Sequence, residues 1–143
     1  MPEAFLLDTS AFLTLTDREP GVDRVRELLK AAKRGEVRLH ACFVTLAEAQ
    51  YILTYDLGSD RARRMLAAIK KFPIRWLHSD DALCASAADL KAQHKVSLAD
   101  AFIAATAQRL GAVLVHKDPE LAGLGNLVQQ EVLPFKGAPA PAS

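Results

Sequence analysis

A three-layer α/β/α sandwich around a central parallel sheet is the fold class this 143-residue sequence predicts, and three observations carry that prediction. Continuous apolar runs at 4–7 and 112–115 lack polar alternation, so they read as strands covered on both faces, and 37–44 and 74–77 read as two further strands. The segments between them place apolar residues at helical spacing. Glycine or proline stands at most of the junctions. Strands alternating with helices imply a parallel sheet with helices on both sides. Half of the residues are hydrophobic, enough for the core of one domain, assigned to 1–136.

The elements follow in order. The first strand, 4–7, is closed by Asp8, and a short helix over 11–15 follows, which Asp8 or Ser10 is placed to cap. Residues 16–21 are turn-like. Val22, Val25, Leu28, Leu29 and Ala32 predict a helix over 22–34 that Gly35 ends. After the strand at 37–44, Leu46, Ala49, Ile52 and Leu53 mark a helix over 45–57, stopped by Gly58. Ser59 caps a helix over 60–72, with Met65, Leu66 and Ile69 on its apolar face, until Pro73 breaks in. A helix from Ser79 and Asp80 to about His94 follows the strand at 74–77. The segment 97–110 is apolar on nearly every side and carries Asp100 as its only acid, the pattern of a buried helix. Gly111 suits a left-handed C-terminal cap. The strand at 112–115 runs into His116, Lys117 and Asp118, and Pro119 starts the next turn. Leu127 and Val128 are assigned to a fifth strand, and the Pro/Ala-rich tail at 137–143 is expected to be disordered.

A net charge of +1 indicates neither a basic nor an acidic protein, although charge segregated by face leaves nucleic acid open as a partner. Cys42 and Cys84 show no metal-binding spacing and read as two buried thiols in a reducing compartment. No basic segment precedes the first apolar run, so no signal peptide is expected. No run reaches the ~18 apolar residues of a membrane span. A soluble cytoplasmic protein is expected.

Four acids stand in apolar surroundings. Asp8 ends the first strand, Glu48 lies just after the second, Asp118 just after the fourth, and Asp100 near the start of the preceding helix. Ligands of open parallel sheets bind beyond the carboxyl ends of the strands. A simple crossover would start the Asp100 helix at the opposite edge, so spacing alone does not bring that acid to the others. Each acid also has a local explanation. Thr45-x-x-Glu48 and Ser97-x-x-Asp100 fit the capping box, Asp118 before Pro119 fits an N-cap, and Asp8 is placed to cap the next helix. Converging acids need more than caps, because two carboxylates ~4 Å apart repel by about 4 kcal/mol at an effective dielectric near 20. A divalent cation offsets that repulsion. Oxygen ligands without histidine or cysteine suit Mg2+, or Mn2+, and phosphoryl chemistry.

The pieces LLDTSAF, TLAEAQYIL and SLADAFIAATAQRLGAVLVHKDPEL, in this order, resemble the successive motifs of PIN-domain ribonucleases, most closely the VapC-type toxins of bacterial toxin–antitoxin pairs. The resemblance covers residues 5–128. It implies a catalytic quartet of Asp8, Glu48, Asp100 and Asp118, with Asp8 and Asp100 as the principal metal ligands and the Asp100 helix presenting its N-terminus to the cleft. Ser10 and Thr45 match supporting hydroxyl positions. It further implies RNA cleavage by a metal-activated water, leaving a 5′-phosphate and a 3′-hydroxyl, a small antitoxin that blocks the cleft, and a homodimer. His116 departs from the pattern, since the family usually has Thr or Ser two residues before the last acid; a tolerated polar residue at a strand end is the favoured reading.

Lys117, between His116 and Asp118, is the best-placed RNA contact. The basic groups Arg61, Arg63, Arg64, Lys70 and Lys71, and Lys30, Lys33 and Arg34, are largely explained by helix ends, where C-terminal cations are favourable. Tyr51 and Tyr55 read as packing or interface residues and Trp76 as core, while His40, His78 and His94 show no metal spacing. Two rivals remain. A haloacid dehalogenase-type phosphatase needs an acid two residues after its nucleophile, where this chain has Ser10. A catalytically silent PIN-like binding module would have no reason to keep four mutually repelling acids.

Overall fold

The computed structural model describes residues 2–135; the tail at 137–143 lies outside the described residues. Five strands, β1 Glu3–Leu7, β2 Val37–Cys42, β3 Arg75–Leu77, β4 Val113–His116 and β5 Gln130–Val132, form one sheet in the order β3-β2-β1-β4-β5. Every neighbouring pair is parallel. The helices are α1 Thr9–Asp17, α2 Val22–Lys33, α3 Phe43–Leu57, α4 Ser59–Ile69, α5 Asp81–Gln93, α6 Leu98–Leu110 and the single turn α7 Pro119–Ala122. The three-layer α/β/α arrangement is therefore the one the sequence predicts. Among the described residues no helix is long and apolar enough to cross a membrane.

Alternate residues of one strand feed opposite cores. Phe5 and Leu7 of β1 pack with Phe12 of α1, Val25 and Leu28 of α2 and Ile69 of α4. Leu6, between them, packs with Leu83 and Ala87 of α5 and Ala101, Ile103 and Ala104 of α6. Both faces of β1 are thus dry, which is why its run shows no polar alternation. The alanines of α6 keep its surface low, so the helix packs flat on the sheet with nearly every side buried.

Three expectations need correction. The second strand stops at Cys42, and Phe43 and Val44 open α3; both are bulky and apolar because they pack against the α6 side of the core, with Phe43 edge-on to Phe102 at 5.2 Å. The fifth strand is Gln130–Val132, a short edge strand with polar residues, while Leu127 closes a 3-10 turn at Gly125–Leu127. Cys84 is exposed on α5, so only Cys42 is a buried thiol.

The position of Asp100 also resolves. Gly111, left-handed at φ 59°, joins α6 to β4 within two residues, so α6 runs against β4 and begins at the carboxyl edge of the sheet. The chain returns to that edge through α5. Arg109, near the end of α6, holds Asp80, the N-cap of α5, by two hydrogen bonds of 2.8 and 2.9 Å, which fixes the two helices antiparallel. The expectation that a simple crossover would start the Asp100 helix at the opposite edge does not hold: a helix that feeds a parallel strand begins at the carboxyl edge, and α6 does so.

Phe12 is 1 % exposed and stacks on Trp76 with ring centroids 5.6 Å apart. Phe12→Ala should cost about 3–5 kcal/mol in urea denaturation. A loss below about 1 kcal/mol would mean that the α1 face contributes little to the core.

Candidate functional site

The sheet order makes β1 and β4 neighbours although three helical crossings separate them in sequence, and the residues that follow each strand are therefore side by side. Asp8 continues the pairing, its N–H donating to Val115 O at 3.0 Å. Asp8 is also the N-cap of α1, with Oδ2 accepting from Ser10 N at 3.1 Å and from the Ser10 hydroxyl. The same Ser10 Oγ accepts from Lys117 N at 3.0 Å and so ties the ends of β1 and β4 together. Asp118 caps α7, with Oδ1 accepting from Glu120 N at 2.9 Å and Pro119 at the first helical position. Ser97 Oγ caps α6 by accepting from Asp100 N at 3.1 Å, which leaves both Asp100 carboxyl oxygens unused by the cap.

The second capping box is not formed. Thr45 lies inside α3, whose N-cap is Cys42, and its hydroxyl is fully buried against Thr9 Oγ1 at 3.0 Å. Thr9 Oγ1 in turn donates to Glu48 Oε1 at 2.7 Å. Thr9, absent from the predicted set, thus fixes the Glu48 carboxylate; its place directly after Asp8 was the signal available.

All four acids act on one another. Asp100, 6 % exposed, has its carboxyl pushed up to about 8 by burial first, then by a hydrogen bond with Asp118 and by the charges of Asp8, Asp118 and Glu48. Burial raises Asp8 above its ordinary value, with Asp118 adding to the effect and the Ser10 hydroxyl and amide opposing it. Burial likewise raises Glu48, against the Thr9 hydrogen bond, and the charges of Asp8 and Asp118 push the same way. Glu120, also absent from the predicted set, joins the cluster. Carboxylate oxygens of Asp100, Asp118 and Glu120 lie within 4.8 Å of one another, close enough for a shared cation. The donors are all carboxylate oxygens, the set that fits Mg2+ or Mn2+.

Two predicted residues take structural partners. His116 is fully buried; its Nδ1 accepts from Asp118 N at 3.0 Å, which leaves Nε2 to carry the proton and donate to Gln130 Oε1 at 2.8 Å. The Gln130 amide is oriented by its own bond from Nε2 to Gly125 O at 2.8 Å. His116 therefore sets the backbone of Asp118 and offers no free nitrogen to a metal or phosphate. The Lys117 side chain is 6 % exposed, its Nζ donating to Pro20 O at 2.8 Å with Glu19 Oε1 at 3.4 Å. That ammonium faces the protein and pins the turn before α2 to the end of β4.

A family model described as the PIN domain matches residues 5–127, most of the chain. The chain belongs to the PIN domain family. Solved PIN structures superpose on it closely at low identity. VapBC2 of Rickettsia felis, bound to a DNA fragment of its promoter, is 16 % identical with a TM-score of 0.74 over 91 % of this chain and 98 % of that one. DNA-bound VapBC of Salmonella typhimurium is 19 % identical with a TM-score of 0.73, over 92 % and 98 %. VapC20 of Mycobacterium tuberculosis, described as a sarcin-ricin loop cleaving toxin, is 18 % identical with a TM-score of 0.69, over 85 % and 95 %. At these identities the likeness establishes the fold. No curated protein matches the chain.

Two measurements probe the PIN site without any substrate. With chelator present, native Asp100 keeps a proton that the unfolded chain releases, so stability should fall as pH rises from about 4 to 8. At pH 8 Asp100→Asn should then be more stable than wild type by about 1–2 kcal/mol, discounted from the full shift because the cleft is open beside Asp118 and Glu120. Thermal melts across pH test this, and a wild-type profile parallel to that of the variant would refute it. Thr9→Val frees Glu48 and should weaken Mn2+ affinity by about 10-fold in calorimetric titration; an unchanged affinity would remove Glu48 from the site.

Proposed function

We propose that this chain is a divalent-metal-dependent endoribonuclease, the toxin of a toxin–antitoxin pair, acting in the cytoplasm. The observation that carries this reading is the convergence of Asp8, Glu48, Asp100 and Asp118 on one crevice, where their charges help push Asp100 up to about 8. A protein that only bound a partner would gain nothing from that repulsion. A Mg2+ or Mn2+ ion bound there would neutralise the carboxylates, stabilise charge building on a phosphate and lower the pKa of a water. Asp100 and Asp118, with Glu120 beside them and Asp8 across the crevice, are the residues to hold it.

The other residues position these acids. Thr9 holds Glu48, Ser10 holds Asp8 and the backbone of Lys117, and His116 holds the backbone of Asp118. A site whose acids are fixed in advance needs little reorganisation when an RNA phosphodiester enters, which is the condition for electrostatic catalysis. RNA with splayed, single-stranded bases is the form that reaches a crevice between strand ends. The similar folds of VapBC complexes support a small antitoxin as partner; we propose in addition that it covers the cleft and that the toxin itself is a homodimer.

Protein purified free of antitoxin should cleave RNA with Mg2+ or Mn2+, stop with chelator, and leave 5′-phosphate ends in end-mapping. Asp8→Asn and Asp100→Asn should each lower cleavage by about 100-fold or more. Undiminished cleavage in either variant would refute the metal site. Wild type that binds metal yet leaves every RNA intact would make the chain a silent binding module.

A further inference from the structure

The opposite end of the sheet carries the reverse charge. Helices α2 and α4 finish there, and their exits lead into β2 and β3. Residues 30–38 and 70–75 hold seven of the chain's 18 Lys and Arg and one of its 17 Asp and Glu. That is a net +6 in a molecule whose total is +1, with Glu3 at the start of β1 and Glu27 one turn back on α2, near Arg34, as further acids close by. Arg34 is answered by Glu36 through hydrogen bonds of 2.8 and 3.0 Å. Lys30, Lys33, Arg38, Lys70, Lys71 and Arg75 form no ion pair among the described residues.

Two adjoining concavities organise these cations. One, of about 540 Å³, is lined by Arg38 and Arg75. The other, of about 420 Å³, is lined by Lys30, Lys33 and Lys71. Phe72 and Pro73 belong to both walls and form the ridge between them. Helix dipoles account for Lys30 and Lys33 in the last turn of α2. They do not account for Arg38 and Arg75, which lie in strands. Arg38 Nε is buried without a partner, as is Nδ1 of neighbouring His40, and no acid among the described residues answers either. Arg38 and His40, two apart on β2, and Arg75, in register with His40, lie on one face of the sheet, where burial, then the charges of Arg38 and Arg75, hold His40 below its ordinary value.

We propose that this basic pole binds the phosphodiester backbone of RNA at a place separate from the acidic crevice, an inference that rests on RNA being the substrate. Cations on both sides of a ridge suit a polyanion with regularly repeated charge, and phosphate contacts position a nucleic acid without reading its sequence. The pole holds RNA that the acid crevice would otherwise repel.

The test uses full-length Asp8→Asn/Asp100→Asn protein with chelator and labelled poly(U), so that binding is measured apart from cleavage. Adding Lys33→Gln, Lys71→Gln and Arg75→Gln, all at exposed positions, should lower the slope of log affinity against log salt by about 2, because each phosphate left without its cation removes ~0.7. The matched change Arg61→Gln/Arg63→Gln/Arg64→Gln, at the exposed start of α4, should leave the slope in place. Equal effects from both sets, or none from the first, would overturn the pole. So would poly-glutamate binding that depends on Lys33, Lys71 and Arg75 while RNA binding does not, since that result assigns the surface to an acidic protein. Pole-dependent binding without cleavage by the wild type refutes the nuclease reading alone; cleavage with an unchanged slope refutes the pole alone.

Discussion

Repulsion among carboxylates at the crevice between β1 and β4 is the constraint on which the arrangement of this chain depends. The sheet order places Asp8 and Asp118 side by side, and the antiparallel α5–α6 pair brings Asp100 to the same edge. A chain shedding unfavourable contacts would move these groups apart. This one holds them in place with a network of hydroxyls and one imidazole, so burial, with the persisting repulsion added to it, raises three of the four acids. A cation bound at that point would convert a cost into binding energy and so couple the fold to the ion.

Capping and metal binding first look like competing accounts of the same acids. The geometry makes them compatible. A carboxylate has two oxygens, and Asp8 commits Oδ2 to Ser10 while Asp118 commits Oδ1 to Glu120, which leaves one oxygen of each for the crevice. The cap does a second job by fixing the side-chain torsion, so the free oxygen is aimed before any ligand arrives. Asp100 differs because Ser97 supplies the cap, so neither of its oxygens is spent on the helix and its carboxyl is left to meet Asp118. Burial first, then the hydrogen bond with Asp118 and the charges of the neighbouring acids, is why its carboxyl is so strongly raised.

The fold was legible because β1 and β4 are dry on both faces, and continuous apolar runs are the clearest signal a strand can leave in a sequence. The boundary at Phe43 was not legible, since an aromatic and a β-branched residue that begin a buried helix look the same as residues that end a strand. Asp8, Glu48 and Asp118 were legible from their positions after strands, whereas Asp100 joined them only through the motif resemblance. Thr9, Glu120 and the role of His116 were not legible. The Thr9 contacts to Thr45 and Glu48 span 36 and 39 residues, and the His116–Gln130 pair joins neighbouring strand ends; local periodicity carries no trace of such contacts. Lys117 reads as an exposed cation from its neighbours in sequence, whereas the fold turns its ammonium toward Pro20.

Charge follows from strand direction. In an all-parallel sheet with helical crossovers, the helices feeding the strands end at one edge and those leaving the strands begin at the other. The helix N-termini of α1, α3 and α6, with their partial positive charge, therefore share an edge with Asp8, Glu48 and Asp100, and this softens the repulsion among those acids before any cation binds. The C-terminus of α2 meets Lys30 and Lys33 at the other edge for the complementary reason. The near-neutral total of +1 is thus the sum of two separated poles. A cation and a polyanion can approach such a molecule at opposite ends without competing. Composition alone conceals this, because it counts charges without recording the strand polarity that sorts them.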